Sequence, residues 1–233
     1  MYEIKYKVKI SDSDYYEDLK LSSLLRLIQE ISILHAEELN IGKSATLDKG
    51  IIWVVLKEMF IIKRMPKYNE DIIIKTYPLK TKHHIFPRNY LIYDSNNELL
   101  IESSSLWTLV SIKDRKLIEP DEYNIFVEEE DTDFNIDSPR KIEKDNVSFK
   151  YDRLIKYSDL DLNLHCNNTN YANYILDIKD KDFYKDHKFS FFEIIYNKEL
   201  KENETLEIFS NDDLSYIEGL SDNSTIFTAK VIF

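Results

Sequence analysis

The sequence predicts an α+β protein in which one unit occurs twice, each unit an antiparallel sheet wrapped around a central helix. Three observations predict it. Stretches of period-two hydrophobic patterning are interrupted by two stretches of helical period. The first helical stretch has a very wide apolar face, which needs more than one wall to bury against. Finally, both halves run strand, helix, then several strands, and Ser11-Asp12-Ser13-Asp14 aligns without a gap on Ser158-Asp159-Leu160-Asp161.

Tyr2 to Ile10 alternates apolar and charged residues and reads as a half-buried strand. Leu21, Leu24, Leu25, Leu27, Ile28, Ile31 and Leu34 then mark the long helix, with Gly42 as its stop signal. Ile51 to Met65, Asp71 to Leu79, Phe86 to Asp94 and Leu99 to Lys113 are rich in Ile, Val, Tyr, Trp and Thr and read as strands. Asp94-Ser-Asn-Asn-Glu98 is the turn between the last two. A poorly periodic stretch after Pro120, with the acidic run Glu128-Glu-Glu-Asp131, reads as a linker. The expected division is therefore 1–130, a linker over 131–145, and 146–233. In the second half Val147 to Lys156, Phe189 to Leu200, Thr205 to Ser210, Leu214 to Leu220 and Thr225 to Phe233 are strand-like.

Composition narrows the function. The chain has 233 residues, is 43% hydrophobic and holds 3 Gly and 5 Pro, which fits a packed core and excludes disorder. A single cysteine, Cys166, rules out an intrachain disulfide and suits a reducing compartment; with no apolar leader, the expected location is cytoplasmic. No apolar run has the length of a membrane span. The net charge of −12 opposes binding to nucleic acid or anionic membranes. His83-His84 could begin a metal site, but no third ligand is spaced nearby, so neither a metal nor a cofactor is expected.

The chemistry concentrates between Lys156 and Ile175. Asp159, Asp161, Asn163 and His165 alternate with Leu160, Leu162 and Leu164, so an extended segment would put acids, amide and imidazole on one face and leucines on the other. From Asn167 the period changes, and Tyr171, Tyr174, Ile175 and Ile178 mark a helix whose first N–H groups could receive developing negative charge. In the first half the same register carries Tyr16 for Asn163 and Asp18 for His165, a copy without amide or imidazole. The bland reading is a solvated strand face leading to an Asn-rich helix cap. Cys166 beside His165 points the other way along the chain and reads as a small buried side chain, not a nucleophile.

The string Asp161-x-Asn163-x-His165-x-Asn167-Asn168-x-x-Tyr171 resembles the hot-dog-fold thioesterases, most of all the fatty acyl-ACP thioesterases of plants and bacteria. Trp53-Val54, Arg64-x-Pro66, Thr76, Arg88, Leu91, Asp94, Trp107, Arg115-x-Leu117 and Pro120 match that family's first half. Tyr196-Asn-Lys-Glu199-Leu200 is similar to the segment with its catalytic glutamate. The resemblance implies a tandem (double) hot-dog fold with a degenerate, acyl-binding first half and a catalytic second half. It implies hydrolysis of acyl-acyl carrier protein without a cofactor, with Asp161, Asn163, His165 and Glu199 catalytic. Asp161 is left as general base or nucleophile, Asn163 as a donor, His165 as proton shuttle and Glu199 as the residue that orients or polarises. Trp53, Asn167 and Asn168 are the expected substrate-binding residues. Leu200 stands where some plant members have a cysteine, so no thiol is expected in the reaction. Lys63, Arg64, Lys67, Lys80, Lys82 and Arg88 are candidate cations for docking the acidic carrier protein. The rivals are an acyl-CoA thioesterase, a non-catalytic acyl-binding module and a dehydratase using Asp177, and a homodimer is left open.

Overall fold

In the computed structural model, residues 1–128 and 136–233 are described. Among the described residues ten strands form one antiparallel sheet: β1 (Tyr2–Lys7), β2 (Ile51–Ile62), β3 (Asp71–Pro78), β4 (Phe86–Asp94), β5 (Leu99–Ser111), β6 (Ser148–Leu154), β7 (Phe191–Tyr196), β8 (Thr205–Ser210), β9 (Ile217–Ser221) and β10 (Ser224–Ile232). Their spatial order is β1-β3-β4-β5-β2-β7-β10-β9-β8-β6. Exchanging the first five strands for the last five reverses this order onto itself, as a twofold-related repeat would. The two halves join where β2 pairs with β7, Lys57 opposite Ile195 and Ile61 opposite Phe191.

Helix α1 (Leu21–Glu38) runs one turn longer than its apolar pattern indicates. Leu21, Leu24, Leu25, Ile28 and Ile31 are almost wholly buried against the sheet, each contributing about 1.5–3 kcal/mol. The helix stops at Asn40 rather than at the expected Gly42. Asn40 is left-handed (φ 57°), and the amides of Asn40 and Ile41 donate to the carbonyls of Glu37 and Ala36, a Schellman close. Gly42 serves packing instead, because a Cβ there would stand 2.5 Å from the Glu37 side chain. It precedes the short helix α2 (Lys43–Thr46), and α3 (Pro120–Tyr123) closes the first half.

The second half's central helix, α4 (Asn170–Leu176), has only 7 residues and packs on α1. The polar run Lys179-Asp-Lys-Asp182 offers nothing apolar to extend it, and a separate turn, α5 (Phe183–Asp186), follows. One core takes in both helices and both half-sheets, with Phe60, Phe192, Tyr171 and Phe227 among its members.

Most of the acidic run and residues 131–135 of the expected linker lie outside the described residues. From 136 to 145 the chain has no regular structure but is not merely solvated: Ile136 packs with Met59 and Leu91, and the Arg140 amide donates to Glu193 at 2.7 Å. Among the described residues no helix is long and apolar enough to cross a membrane.

Candidate active site

The segment from Asp159 to Cys166 is not the extended ladder its alternation suggests. A single turn of 3₁₀ helix, Tyr157–Asp159, leads into a tight reversal closed by the Asp161 amide donating to the His165 carbonyl at 2.7 Å. Asp161 holds that reversal from within, its Oδ1 accepting the amides of Asn163 (2.7 Å) and His165 (3.2 Å). Leu164 takes a left-handed conformation (φ 63°). Leu162 and Leu164 are therefore 92% and 72% exposed instead of buried on a strand's far face. Asp159 parts from the other acids and is buried, accepting from Arg153 (2.8 Å) and the Tyr174 hydroxyl (2.9 Å).

The first half builds the same corner atom for atom. Asp14 Oδ1 accepts the amides of Tyr16 (2.8 Å) and Asp18 (3.0 Å), the Asp14 amide donates to the Asp18 carbonyl, and Glu17 is left-handed (φ 65°). What differs is the cargo. In the first copy Asp18 is clamped by Lys67 (2.6 Å) and Lys188 (3.0 Å). In the second copy His165 turns Nε2 toward Glu199 Oε2 at 3.4 Å. Glu199 comes from the segment between β7 and β8, locked beside the corner by the Cys166 amide donating to the Leu200 carbonyl.

Arg115 completes this pair by binding Glu199 Oε1. It sits in the turn after β5, left-handed (φ 58°), so a first-half residue reaches into the second-half corner. The sequence pattern includes Arg115 but gives it no role, because its partner lies across the seam between halves. Burial, and then the Arg115 charge, hold the His165 imidazole below its usual pKa, so it is a neutral proton acceptor near pH 7. With a carboxylate at Nε2, the tautomer protonated there is favoured and Nδ1 is left to accept.

The remaining predicted residues fall in three places. Asn163 is exposed on the reversal beside His165. Asn167 faces the chain instead, its Oδ1 accepting the Thr169 amide (3.0 Å) and hydroxyl (2.8 Å) ahead of α4. Asn168 turns inward, its Nδ2 buried. Trp53 donates to the Ile41 carbonyl at 2.7 Å and meets Phe86 edge-on, within a separate cluster that includes Ile51 and Leu109; these contacts do not involve the His165–Glu199 pair. α4 begins three residues after Asn167, and its seven residues make a weak dipole. Cys166 is 5% exposed, and burial pushes its thiol up to about 11, an unreactive state.

Three of the candidate docking cations already have partners within the protein. Arg88 is buried beneath α1 against His35 and Thr76, while Arg64 and Lys67 are engaged by Glu70 and Asp18.

Comparison with known proteins decides the family. The acyl-ACP thioesterase N-terminal domain matches residues 1–126, and the acyl-ACP thioesterase C-terminal domain matches residues 142–229. The chain belongs to the acyl-ACP thioesterase family. Curated relatives include a chloroplastic acyl-[acyl-carrier-protein] hydrolase of Cuphea viscosissima, 26% identical over 80% of this chain and 49% of the relative. Another is a chloroplastic dodecanoyl-[acyl-carrier-protein] hydrolase of Cinnamomum camphora, 24% identical over 79% of this chain and 52% of the relative. The chain thus spans about half the length of these relatives. Among solved structures, an acyl-ACP thioesterase from Bacteroides thetaiotaomicron superposes with a TM-score of 0.88 at 21% identity, covering 100% of this chain and 97% of that one. The 12:0-ACP thioesterase from Umbellularia californica gives 0.79 at 19% identity, covering 99% and 96%. The thioesterase family's tandem hot-dog fold is therefore the fold of this chain.

Proposed function

We propose that this protein hydrolyses the thioester of a fatty acyl chain carried on acyl carrier protein, releasing free fatty acid and ending its elongation. The observation that carries the reading is the contrast between two corners of equal backbone, of which only the second presents an imidazole with a carboxylate and an arginine behind it.

In the reaction we envisage, water enters beside the imidazole and attacks the thioester carbonyl while His165 Nδ1 takes its proton. Glu199, held by Arg115, stabilises the imidazolium that forms. The exposed Asn163 amide donates to the carbonyl oxygen as it gains charge. Collapse breaks the C–S bond, and the proton on His165 passes to the departing thiolate. The products are a carboxylic acid and a free carrier thiol. Asp161 acts through the reversal it folds, presenting Asn163 and His165 together, and is a positioning residue in this scheme. Residues 1–130 would form the acyl-binding unit and 146–233 the catalytic one, joined by 131–145. A lone buried thiol supports placing the enzyme in the cytoplasm.

The test is release of thiol from purified protein given a panel of acyl-carrier proteins beside the matching acyl-CoAs. Turnover on the carrier-protein series, lost by a factor of about 10² or more in His165→Ala, is the expected result. Faster turnover of the CoA series would transfer the assignment to an acyl-CoA thioesterase, and no release from either would end the hydrolase reading.

A further inference from the structure

Around Glu58 lies a group of buried polar atoms that the reaction above does not use. Glu58 is on β2, on the same side of the strand as the core residues Phe60 and Ile62, and is 0% exposed. The Tyr196 hydroxyl, at the end of β7, donates to its Oε2 at 2.8 Å. Gln29 on α1 presents its amide to the same carboxyl, and Asn168 presents its own to the Tyr196 hydroxyl. Neither amide makes a well-formed bond: Gln29 Nε2, Asn168 Nδ2 and Glu58 Oε1 are all buried without a hydrogen-bond partner among the described residues.

Such atoms are costly to leave unsatisfied, and an apolar residue at position 58 would continue the core. Their arrangement instead matches a ligand. Two amide N–H groups offer donors and one carboxyl oxygen offers an acceptor. A hydroxyl has two lone pairs and one hydrogen, the complementary set. The protein's own partners leave the Glu58 charge unsettled, since burial pushes the carboxyl up to about 7. Glu58 is fully buried, while the residues Gln29, Asn168 and Tyr196 are only half-buried.

The location says which part of the substrate arrives there. Asn168 stands three residues beyond His165, and Tyr196 three residues before Glu199. The two segments that supply the proposed reacting groups thus also supply two of these four side chains, the other two coming from α1 and β2 of the first half. An acyl chain whose carbonyl meets Asn163 and His165 would bring its first carbons past them.

We infer that Gln29, Glu58, Asn168 and Tyr196 form a specificity subsite for a hydroxyl near the thioester, and that β-hydroxyacyl chains are the preferred substrates. This rests on the hydrolase reading above. Glu58 and Gln29 then select among substrates without taking part in bond cleavage.

The experiment compares kcat/KM for β-hydroxyacyl and saturated acyl-carrier proteins of equal length, in the wild type, Glu58→Leu, Glu58→Gln and Gln29→Met. The wild type should favour the hydroxylated chain by about tenfold or more. In Glu58→Leu the ratio of the two values should fall by at least about tenfold, and Glu58→Gln should keep part of it. If Glu58→Leu does not fold, Gln29→Met should show the same fall in ratio. A wild type without preference would mean that these polar groups hold a bound water only, and an equal loss on both substrates would mean a purely structural role; either overturns the inference. Calorimetric binding of non-hydrolysable amide analogues, with and without the β-hydroxyl, separates the two readings. A hydroxyl-dependent affinity without any thiol release would leave the subsite standing and remove the hydrolase.

Discussion

At the scale of single residues, the duplicated corner acts as an internal control. Asp161 and Asp14 accept the same two backbone amides, yet only one of them stands beside an imidazole. The shared task is to fold the reversal, and an amide oxygen performs it nearly as well as a carboxylate. Asp161→Asn should therefore retain at least about tenfold more turnover than Asp161→Ala. If both were equally dead while folded, the carboxylate itself would be needed, as base or nucleophile. Arg115 lends itself to a second measurement. Its charge helps to hold the His165 pKa down, after burial, so Arg115→Ala should raise that pKa. The acid limb of kcat/KM against pH should then move to higher pH, and an unmoved limb would exclude the contact. His165 and Glu199 could be picked out in the sequence by their motif. Arg115 could not be given a role, because nothing local to a cationic turn says which carboxylate it meets some eighty residues on. Leu162 and Leu164 misled for a related reason: alternation is shared by strands and by Asx-closed reversals, and only the hydrogen bonds of Asp161 tell them apart.

Among elements, the strands were the most legible, and β4 and β8 begin and end where the pattern puts them. β-branched and aromatic residues bounded by turn chemistry leave little latitude there. Asp94 anchors its hairpin through Oδ1 to the Asn96 and Glu98 amides, the same device the two corners use. Helix ends were less legible. Asn40 closes α1 although a glycine stands two residues later, since either residue tolerates the left-handed position. α4 was expected to start at Asn167, but that side chain bonds to Thr169 and delays the helix to Asn170. The first-half corner should be structural, independent of chemistry. Asp14→Ala removes the acceptor of two amides and should lower unfolding free energy by about 1–3 kcal/mol, read from urea denaturation. Turnover per folded molecule should not change. A loss of turnover with unchanged stability would mean that the first copy is not silent.

For the whole molecule, the decisive junction is the seam where β2 meets β7, because it makes one sheet of two repeats and sets a first-half arginine beside a second-half glutamate. At that seam the protein buries a carboxyl completely, and this leaves a signature in stability. Burial raises the Glu58 pKa from 4.5 to about 7, with the Tyr196 hydrogen bond and the nearby Gln29 amide only partly opposing it. Between those values the folded state holds a proton that the unfolded chain has lost, so stability falls as pH rises. The contribution is fully present below the unfolded pKa and is gone once pH has passed through the folded one. At about 1.4 kcal/mol per pKa unit, the loss from about pH 5 to about pH 8 is roughly 2–3 kcal/mol. Glu58→Gln keeps a polar side chain of the same shape and has no proton to lose. The stability of this variant relative to wild type should climb with pH by about that amount, followed by urea unfolding at several pH values. The comparison cancels the other titrating groups, which both proteins share. Parallel pH curves would show that Glu58 does not change charge at the seam, and the two halves would then be joined by packing and strand pairing without a titrating group between them.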